Sequence, residues 1–364
     1  MATRLFRGFV FTLSAAIAGL YLFVAIRRLL SGAAPDPIER ALLDHAIRLA
    51  HLKPLYGEPG PHPVSIMPGF PFTVSVLVQS LGPAMWEPRL VTLLASLALG
   101  ALVLVAVRTE TESWTLGIAG AALAFAGSGV LAGSPGVARP EPLTLVLVFA
   151  ALLTLRDIDG ALGAIVAALL MAAACLTQQF AMCFAAGGLM YLAIQQRRRV
   201  APFLLAFAVF AGGGYIALSQ ALGSWFNFYA SDLPLAAMRL DPAGFVHLAG
   251  DVVLGRMGIL VSAALLSLAL PAPPWRGTSG VWFWGGVAAL VSGTIASQSG
   301  EIGPQSLMPC VTAFALLGPI AASKVAEHLA AWPGSSRLGG ERVVLTVLLL
   351  QLALYLSAAS PTLL

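Results

Sequence analysis

Charge is what this sequence has least of. Of its 364 residues only 10% are Asp, Glu, Lys or Arg, while 59% are hydrophobic. A soluble domain carries about 25% charged residues, and a chain this long folding in water needs a polar surface that this one cannot supply. The few charges nearly balance, 20 basic against 16 acidic for a net +4. That small excess suits basic cytoplasmic loops, and with no basic patch interleaved with aromatics, nucleic acid is not an expected partner. Cysteine is scarce too. Cys175, Cys183 and Cys310 lie inside apolar runs, without the spacing of a zinc site or a disulfide framework, and read as packing residues. There is no G-x-S-x-G elbow, H-E-x-x-H helix, phosphate-binding glycine loop or dinucleotide fingerprint, no convincing Ser-His-Asp set, and no repeat of about 20–50 residues.

What the chain has instead is long apolar runs and a mean hydropathy of +0.89. A membrane-spanning helix needs about 20 apolar residues, and a helix satisfies its own backbone in lipid. Candidate spans are 8–29, 66–85, 89–107, 114–133, 140–155, 160–176, 180–196, 201–221, 245–270, 280–298, 303–323 and 342–360. The expected fold is therefore all-α: one integral membrane domain over residues 1–364, a polytopic bundle of about 10–12 spans. The first run, Phe9 to Ile26, follows Arg4 and Arg7 and is closed by Arg27 and Arg28 with no small-residue cleavage site, which reads as an uncleaved span. Gly212, Gly213 and Gly214 predict a close approach of helices.

Basic residues orient the bundle. Arg197, Arg198 and Arg199, with Arg4 and Arg7, are expected in the cytoplasm, placing the 30–65 loop outside. Counting crossings from these two anchors puts the 134–140 loop on opposite sides. A non-spanning 66–85, interrupted by Pro68 and Pro71, would reconcile the counts.

The 30–65 loop is the longest polar stretch and the first place to look for chemistry. Pro37 to Leu52 reads as an amphipathic helix at the membrane surface, with Asp36 as N-cap and Pro37 in its first turn. Asp36 and Glu39, three apart, lie near each other at the helix start. Such a pair can supply a general base or hold a divalent cation; equally, an aspartate cap and a first-turn acid are ordinary features of helices. Downstream, Lys53, Tyr56 and His62 are candidates to line a polar pocket, or else an interfacial tyrosine and solvated charges. In Ala138-Arg139-Pro140-Glu141 an arginine and a glutamate stand at the mouth of an apolar helix. Arg139 suits a phosphate, against the plainer reading of a snorkelling helix end. Arg89 is an interface anchor or a ligand contact. Asp251, Arg256, Gln178, Gln179 and Glu301 each sit at or in span ends and carry little weight singly. A second loop, 222–245, is aromatic-rich (Trp225, Phe226, Phe228, Tyr229) and expected at the interface.

In their order these pieces resemble the membrane glycosyltransferases of the GT-C fold, especially bacterial relatives of the protein mannosyltransferases and of the aminoarabinose and Rgt-type lipopolysaccharide transferases. Asp36-Pro37-Ile38-Glu39 resembles the acidic motif of that family's first extracytoplasmic loop. Leu52-Lys53-Pro54-Leu55-Tyr56 resembles the turn that follows, with Lys53 where glycine is common. Met67 to Pro71, Gly82 and Arg89-Leu90 resemble the Pro-rich entry and the start of the next helix. Ala138 to Glu141 resembles the second active-site loop, and Ala174 to Gln179 a helix end in which Gln178 replaces the usual lysine. The likeness covers roughly residues 1–200. It implies inverting transfer of a sugar from a polyprenyl-phosphate-linked donor to a lipid, glycan or protein acceptor, on the outer face of a bacterial plasma membrane. Asp36 or Glu39 would be the general base. Arg139 and Arg89 would steady the lipid phosphate, and Tyr56, His62, Glu141 and Gln178 would contact substrate. No cofactor motif is present, and a divalent metal is compatible with the acids. A transporter or lipid flippase using intramembrane charges, or a non-catalytic membrane subunit, are the competing expectations.

Overall fold

The computed structural model describes residues 2–31, 34–59, 64–132, 135–238, 246, 250, 254–271, 274–297, 307–331 and 337–358. Within them the chain is helical throughout and contains no β-strand. In order the helices are α1 Ala2–Leu30, α2 Pro37–Ala50, α3 Gly69–Leu81, α4 Trp86–Thr111, α5 Trp114–Ala132, α6 Glu141–Asp157, α7 Gly160–Thr177, α8 Ala181–Gln195, α9 Val200–Phe207, α10 Gly213–Leu222, α11 Ser224–Asn227, α12 Leu233–Ala237, α13 Gly255–Leu268, α14 Gly280–Ser297, α15 Met308–Ala330 and α16 Arg337–Ala358. A π-helical turn, Ala208–Gly212, joins α9 to α10. Five described segments are long and apolar enough to cross a membrane: Leu5–Leu30, Trp86–Thr111, Gly160–Thr177, Arg197–Leu222 and Met308–Ala330. Their outward faces carry Leu, Phe, Val and Ile, among them Phe9, Phe23, Leu94, Leu205 and Val209, as lipid rather than water requires.

Proline and glycine punctuate the helices. Pro37 opens α2, Pro142 lies in the first turn of α6 and Pro309 in that of α15, where a missing N–H costs nothing. In lipid, helices associate through close packing rather than through expulsion of water. A β-carbon at Gly100 would stand 2.3 Å from the Phe125 ring, one at Gly127 2.3 Å from Val311, and one at Gly318 2.6 Å from Leu260. Bare backbone at these points therefore brings α4 to α5, α5 to α15 and α15 to α13. The expected close approach at Gly212–Gly214 is met only at Gly214, where a β-carbon would stand 3.6 Å from Leu176 Cδ1 of α7. Nothing lies within 4 Å of a β-carbon at Gly212 or Gly213, because Arg197–Leu222 runs along the outside of the bundle with 6% of its most apolar stretch buried.

Of the two readings of 66–85, spanning and non-spanning, the structure favours the second. It forms α3, a helix of 13 residues, shorter than the roughly 17 that a crossing needs. It lies along α2, with Phe70, Val74 and Val78 buried against Leu42 and Ala46. The hydrogen bond from Arg89 Nη1 to the Arg28 carbonyl then brings the end of α1 and the start of α4 to one face of the bundle. The starts of α4 and α6 meet at that face through Thr92 and Arg139, and the end of α7 joins them where Thr144 meets Gln178. The opposite face is closed by another cluster. Glu110 of α4 accepts from Arg156 of α6 at 2.7 Å and from the Trp282 indole of α14 at 3.0 Å. Arg199 caps the end of α6 by donating to the carbonyls of Leu155 and Ile158. Residues 135–140 and the start of α2 thus share a side, and Arg197–Arg199 are on the other. Of the 245–270 span the described residues are 246, 250 and 254–270, with α13 running from Gly255; Asp251, Glu301 and His62 lie outside the described residues.

Candidate functional site

The site is assembled at the start of α2. Asp36 Oδ1 accepts from the Glu39 amide at 2.8 Å, and Glu39 Oε2 accepts from the Asp36 amide at 3.3 Å. This reciprocal capping box fixes the first turn. Glu39 is fully buried, at 0% exposure. Its Oε1 accepts from Arg89 Nε at 3.1 Å and from the Ala138 amide at 2.8 Å. Its Oε2 accepts from Arg89 Nη2 at 3.1 Å, with Arg28 3.6 Å away. Burial alone would favour the neutral acid; the Arg89 fork and the Ala138 amide outweigh it and hold Glu39 below the usual carboxylate range. Arg89 is itself buried and also donates to the carbonyls of Arg28 and Ser31. One ion pair therefore ties together α1, α2, α4 and the loop before α6.

Asp36 is gripped from that loop. Arg139 Nη1 lies 3.2 Å from Oδ1 and Nη2 2.6 Å from Oδ2, the fork-to-fork geometry of the strongest ion pairs. The Asp36 side chain is 33% exposed and that of Arg139 10%. Burial again opposes ionisation, and Arg139 with the Glu39 amide overrides it, so Asp36 too sits below its ordinary value. The loop that presents Arg139 is pinned twice. The Arg139 amide donates to Thr92 Oγ1 at 3.0 Å and its carbonyl accepts from the same hydroxyl at 3.0 Å. Gly136 turns with φ of +81°, its α-carbon face pressed against α1: a β-carbon there would lie 2.9 Å from Ala25 Cα. Only glycine meets both demands.

Behind Arg139 opens a cavity of about 910 Å³. Its polar head is formed by Arg139, Glu141, Gln178, Gln179 and Ser65. Its apolar body runs between Met182, Cys183, Ala186, Gly187 and Met190 of α8 and Trp284, Val287, Ala288, Val291 and Ile295 of α14. Met182, Met190, Val291 and Ile295 are exposed, so open space lies against these apolar side chains along the body of the cavity. Glu141 is the one carboxylate among the described lining residues. It is buried, its Oε2 has no hydrogen-bond partner, and the Gln178 side chain reaches it. Leu233, Pro234, Ala237 and Met238, in and just past α12, roof the cavity. They are anchored by Ser65 Oγ donating to the Tyr229 carbonyl at 2.9 Å and Gln179 Nε2 to the Ala230 carbonyl at 3.3 Å.

The sequence-derived candidates separate into three groups. Arg139, Glu141 and Gln178 line the cavity; Asp36 stands beside it through Arg139. Arg89 and Tyr56 do not line it, for physical reasons. Arg89 is consumed by Glu39. Tyr56 is buried in an aromatic core, stacked on Tyr229 at 5.2 Å and 5.9 Å from Phe226, its hydroxyl donating to the Ile66 carbonyl. This core docks the 222–237 segment, so the tyrosine holds the roof of the cavity from outside its lining. Glu39, expected as one of two candidate bases, has both oxygens filled. With each acid held by an arginine, the pair also lacks free oxygens for a shared cation, and no cluster of three or more His, Cys, Asp or Glu forms among the described residues. Gln179 was marked in sequence only by its place at a span end, and Ser65 and the α8 and α14 faces carried no chemical signature there; the recurrence of Met182, Ala186 and Met190 is ordinary helix periodicity.

No protein-family model and no curated protein matches the chain. Among solved structures it is similar to ArnT from Cupriavidus metallidurans bound to undecaprenyl phosphate, with a TM-score of 0.61 and 14% identity over 96% of this chain and 77% of that one. It is similar to the same protein in the apo state, with a TM-score of 0.60 and 13% identity over 95% of this chain and 76% of that one. At this identity the likeness speaks for the fold, and the GT-C resemblance drawn from short motifs is met at that level.

Proposed function

We propose that this protein is a membrane glycosyltransferase that moves a sugar from a polyprenyl-phosphate-linked donor to an acceptor hydroxyl. The observation that carries this reading is the make-up of the cavity: an arginine at a polar head, and an apolar body between α8 and α14. That is the outline of an amphiphile with an anionic head and a long hydrocarbon tail. The ArnT structure of the same fold has undecaprenyl phosphate bound, which supports a lipid phosphate as the occupant here.

In this reading Arg139 is the phosphate ligand. Its planar fork matches a phosphate as it matches Asp36, so the incoming head group shares the guanidinium with the aspartate and needs no new cation. Glu39, Arg89 and the capping box hold the loop and helix that frame it. During transfer the acceptor oxygen bonds to the anomeric carbon from the side opposite the phosphate, inverting it. The bond from that carbon to the phosphate oxygen breaks, its electron pair stays on the lipid phosphate, and Arg139 stabilises the added charge. The acceptor's proton passes to a carboxylate of the site. Arg197–Arg199 at the opposite end of the bundle support an extracytoplasmic site in a bacterial plasma membrane.

The test is transfer by purified protein in liposomes, offered a panel of undecaprenyl-phosphate-linked sugars with lipid, glycan and peptide acceptors. Transfer by wild type that is lost in Arg139→Ala is expected. Binding of undecaprenyl phosphate without transfer from any donor would favour a non-catalytic subunit, and movement of the lipid across the bilayer without transfer a flippase.

A further inference from the structure

We propose that Glu141, and neither Asp36 nor Glu39, is the general base that takes the acceptor's proton. The proposal rests on the transfer reading above and assigns the one step that it leaves open.

Three carboxylates stand at the site, and their surroundings differ. Glu39 has no free oxygen: Arg89 occupies both, the Ala138 amide shares Oε1, and the Asp36 amide shares Oε2. Accepting a proton there would break the contact that joins four segments of the chain. Asp36 has both oxygens in the Arg139 fork, and Oδ1 also caps α2. A carboxylate held this way is a poor proton acceptor, because each bond favours its charged form. Neither residue is among those lining the cavity.

Glu141 differs in having a free oxygen and in lining the cavity. It lines the cavity, it is buried, and its Oε2 is without a partner. An uncommitted oxygen in a buried site is the exception in folded proteins and calls for an explanation. Glu141 follows Arg139 by two residues at the first turn of α6, so the phosphate clamp and the free oxygen are presented by one short, doubly pinned segment. Thr144 Oγ1 donates to Gln178 Oε1 at 3.3 Å, which holds Gln178 beside Glu141 at the polar head. An acceptor hydroxyl entering the polar head gives its proton to Glu141 Oε2. The electrons of that O–H bond form the new bond to the anomeric carbon, and the departing pair goes to the phosphate beside Arg139. Glu141 then returns the proton to the lipid phosphate or to water.

The experiment compares wild type, Glu141→Gln, Glu141→Asp and Asp36→Asn in liposomes, using a donor that wild type consumes. It measures kcat and donor KM across pH, affinity for unglycosylated undecaprenyl phosphate, and thermal unfolding. Glu141→Gln is expected to lower kcat by about 10²–10⁴-fold, to bind the lipid phosphate like wild type, and to lose the acid limb of the kcat profile. Glu141→Asp should retain that limb at reduced rate, and its shorter carboxylate keeps the test open if the amide does not fold. Asp36→Asn should raise donor KM more than it lowers kcat and keep the limb. Turnover by Glu141→Gln within tenfold of wild type, or an acid limb that disappears in Asp36→Asn and persists in the Glu141 variants, overturns the assignment while leaving the transfer reading standing. Wild type that binds lipid phosphate and transfers nothing removes both.

Discussion

Arg139 grips Asp36 through both carboxylate oxygens, at 3.2 and 2.6 Å, across 103 residues of chain. The pair stands at the head of the cavity with its cation already aligned, so a phosphate entering there finds a preset ligand. A lysine at this position would keep the charge and lose the fork. Arg139→Lys is therefore expected to weaken binding of undecaprenyl phosphate by roughly 10–100-fold, the loss of one charge-assisted hydrogen bond of about 1.5–3 kcal/mol. Titration of the lipid into reconstituted protein checks it; an unchanged affinity would place the phosphate elsewhere.

Glu39 and Arg89 form a second ion pair whose work is structural. Removing one partner of a buried pair leaves a bare charge and costs about 3–5 kcal/mol. Glu39→Ala and Arg89→Ala should each lower the unfolding temperature in detergent sharply. The double variant should be less damaging than the sum of the two, since the stranded charge disappears with its partner. Additive losses would mean the two side chains do not act on each other.

The apolar body of the cavity predicts a dependence on chain length. Ala186 lines it on α8. Ala186→Trp should fill the space between α8 and α14, reducing use of long-chain donors while sparing donors built on a short isoprenoid phosphate. Competition between long- and short-chain donors in one assay reads this directly. Equal losses for both lengths would argue that the tail lies elsewhere.

Acid stability follows from the two capping-box carboxylates. Burial pushes both up, and the arginines outweigh it, so both titrate below their ordinary range in the folded protein. The stability they supply is thus fully present above the unfolded values near 4, about pH 5 and higher, and is lost as pH falls through the depressed folded values. Thermal unfolding should be flat from about pH 7 to 5 and fall below about 4. Arg139→Ala, which removes one of the depressing partners, should make that fall shallower.

Gly136 links the site to the first helix. Its φ of +81° and the 2.9 Å that would separate a β-carbon from Ala25 Cα both oppose any side chain. Gly136→Ala is expected to cost about 1–3 kcal/mol and to misplace Arg139, raising donor KM. An alanine variant with wild-type stability and KM would show that the turn has room to move.

What the sequence determined by itself is what depends on neighbours along the chain. Apolar runs too long for a soluble core made the protein a helical membrane bundle, and Asp36-Pro37 marked the start of α2 to the residue. The pairing of Asp36 and Glu39 at one helix end was legible from their spacing of three. Their roles were not, because each depends on an arginine 50 or more residues away. The same holds for Glu141, distinguished from the other first-turn acids by the cavity it faces. Hydropathy read 66–85 as a span, since it reports what a segment can bury in and not where it lies; packing on α2 decided that it stays on one side. Gly212 and Gly213 failed in the same way: small residues permit a close approach, and only a neighbouring helix makes one. Composition and local order thus settle solvent, helix and cap, while the division of labour among three carboxylates and two arginines comes from contacts that only the folded chain brings together.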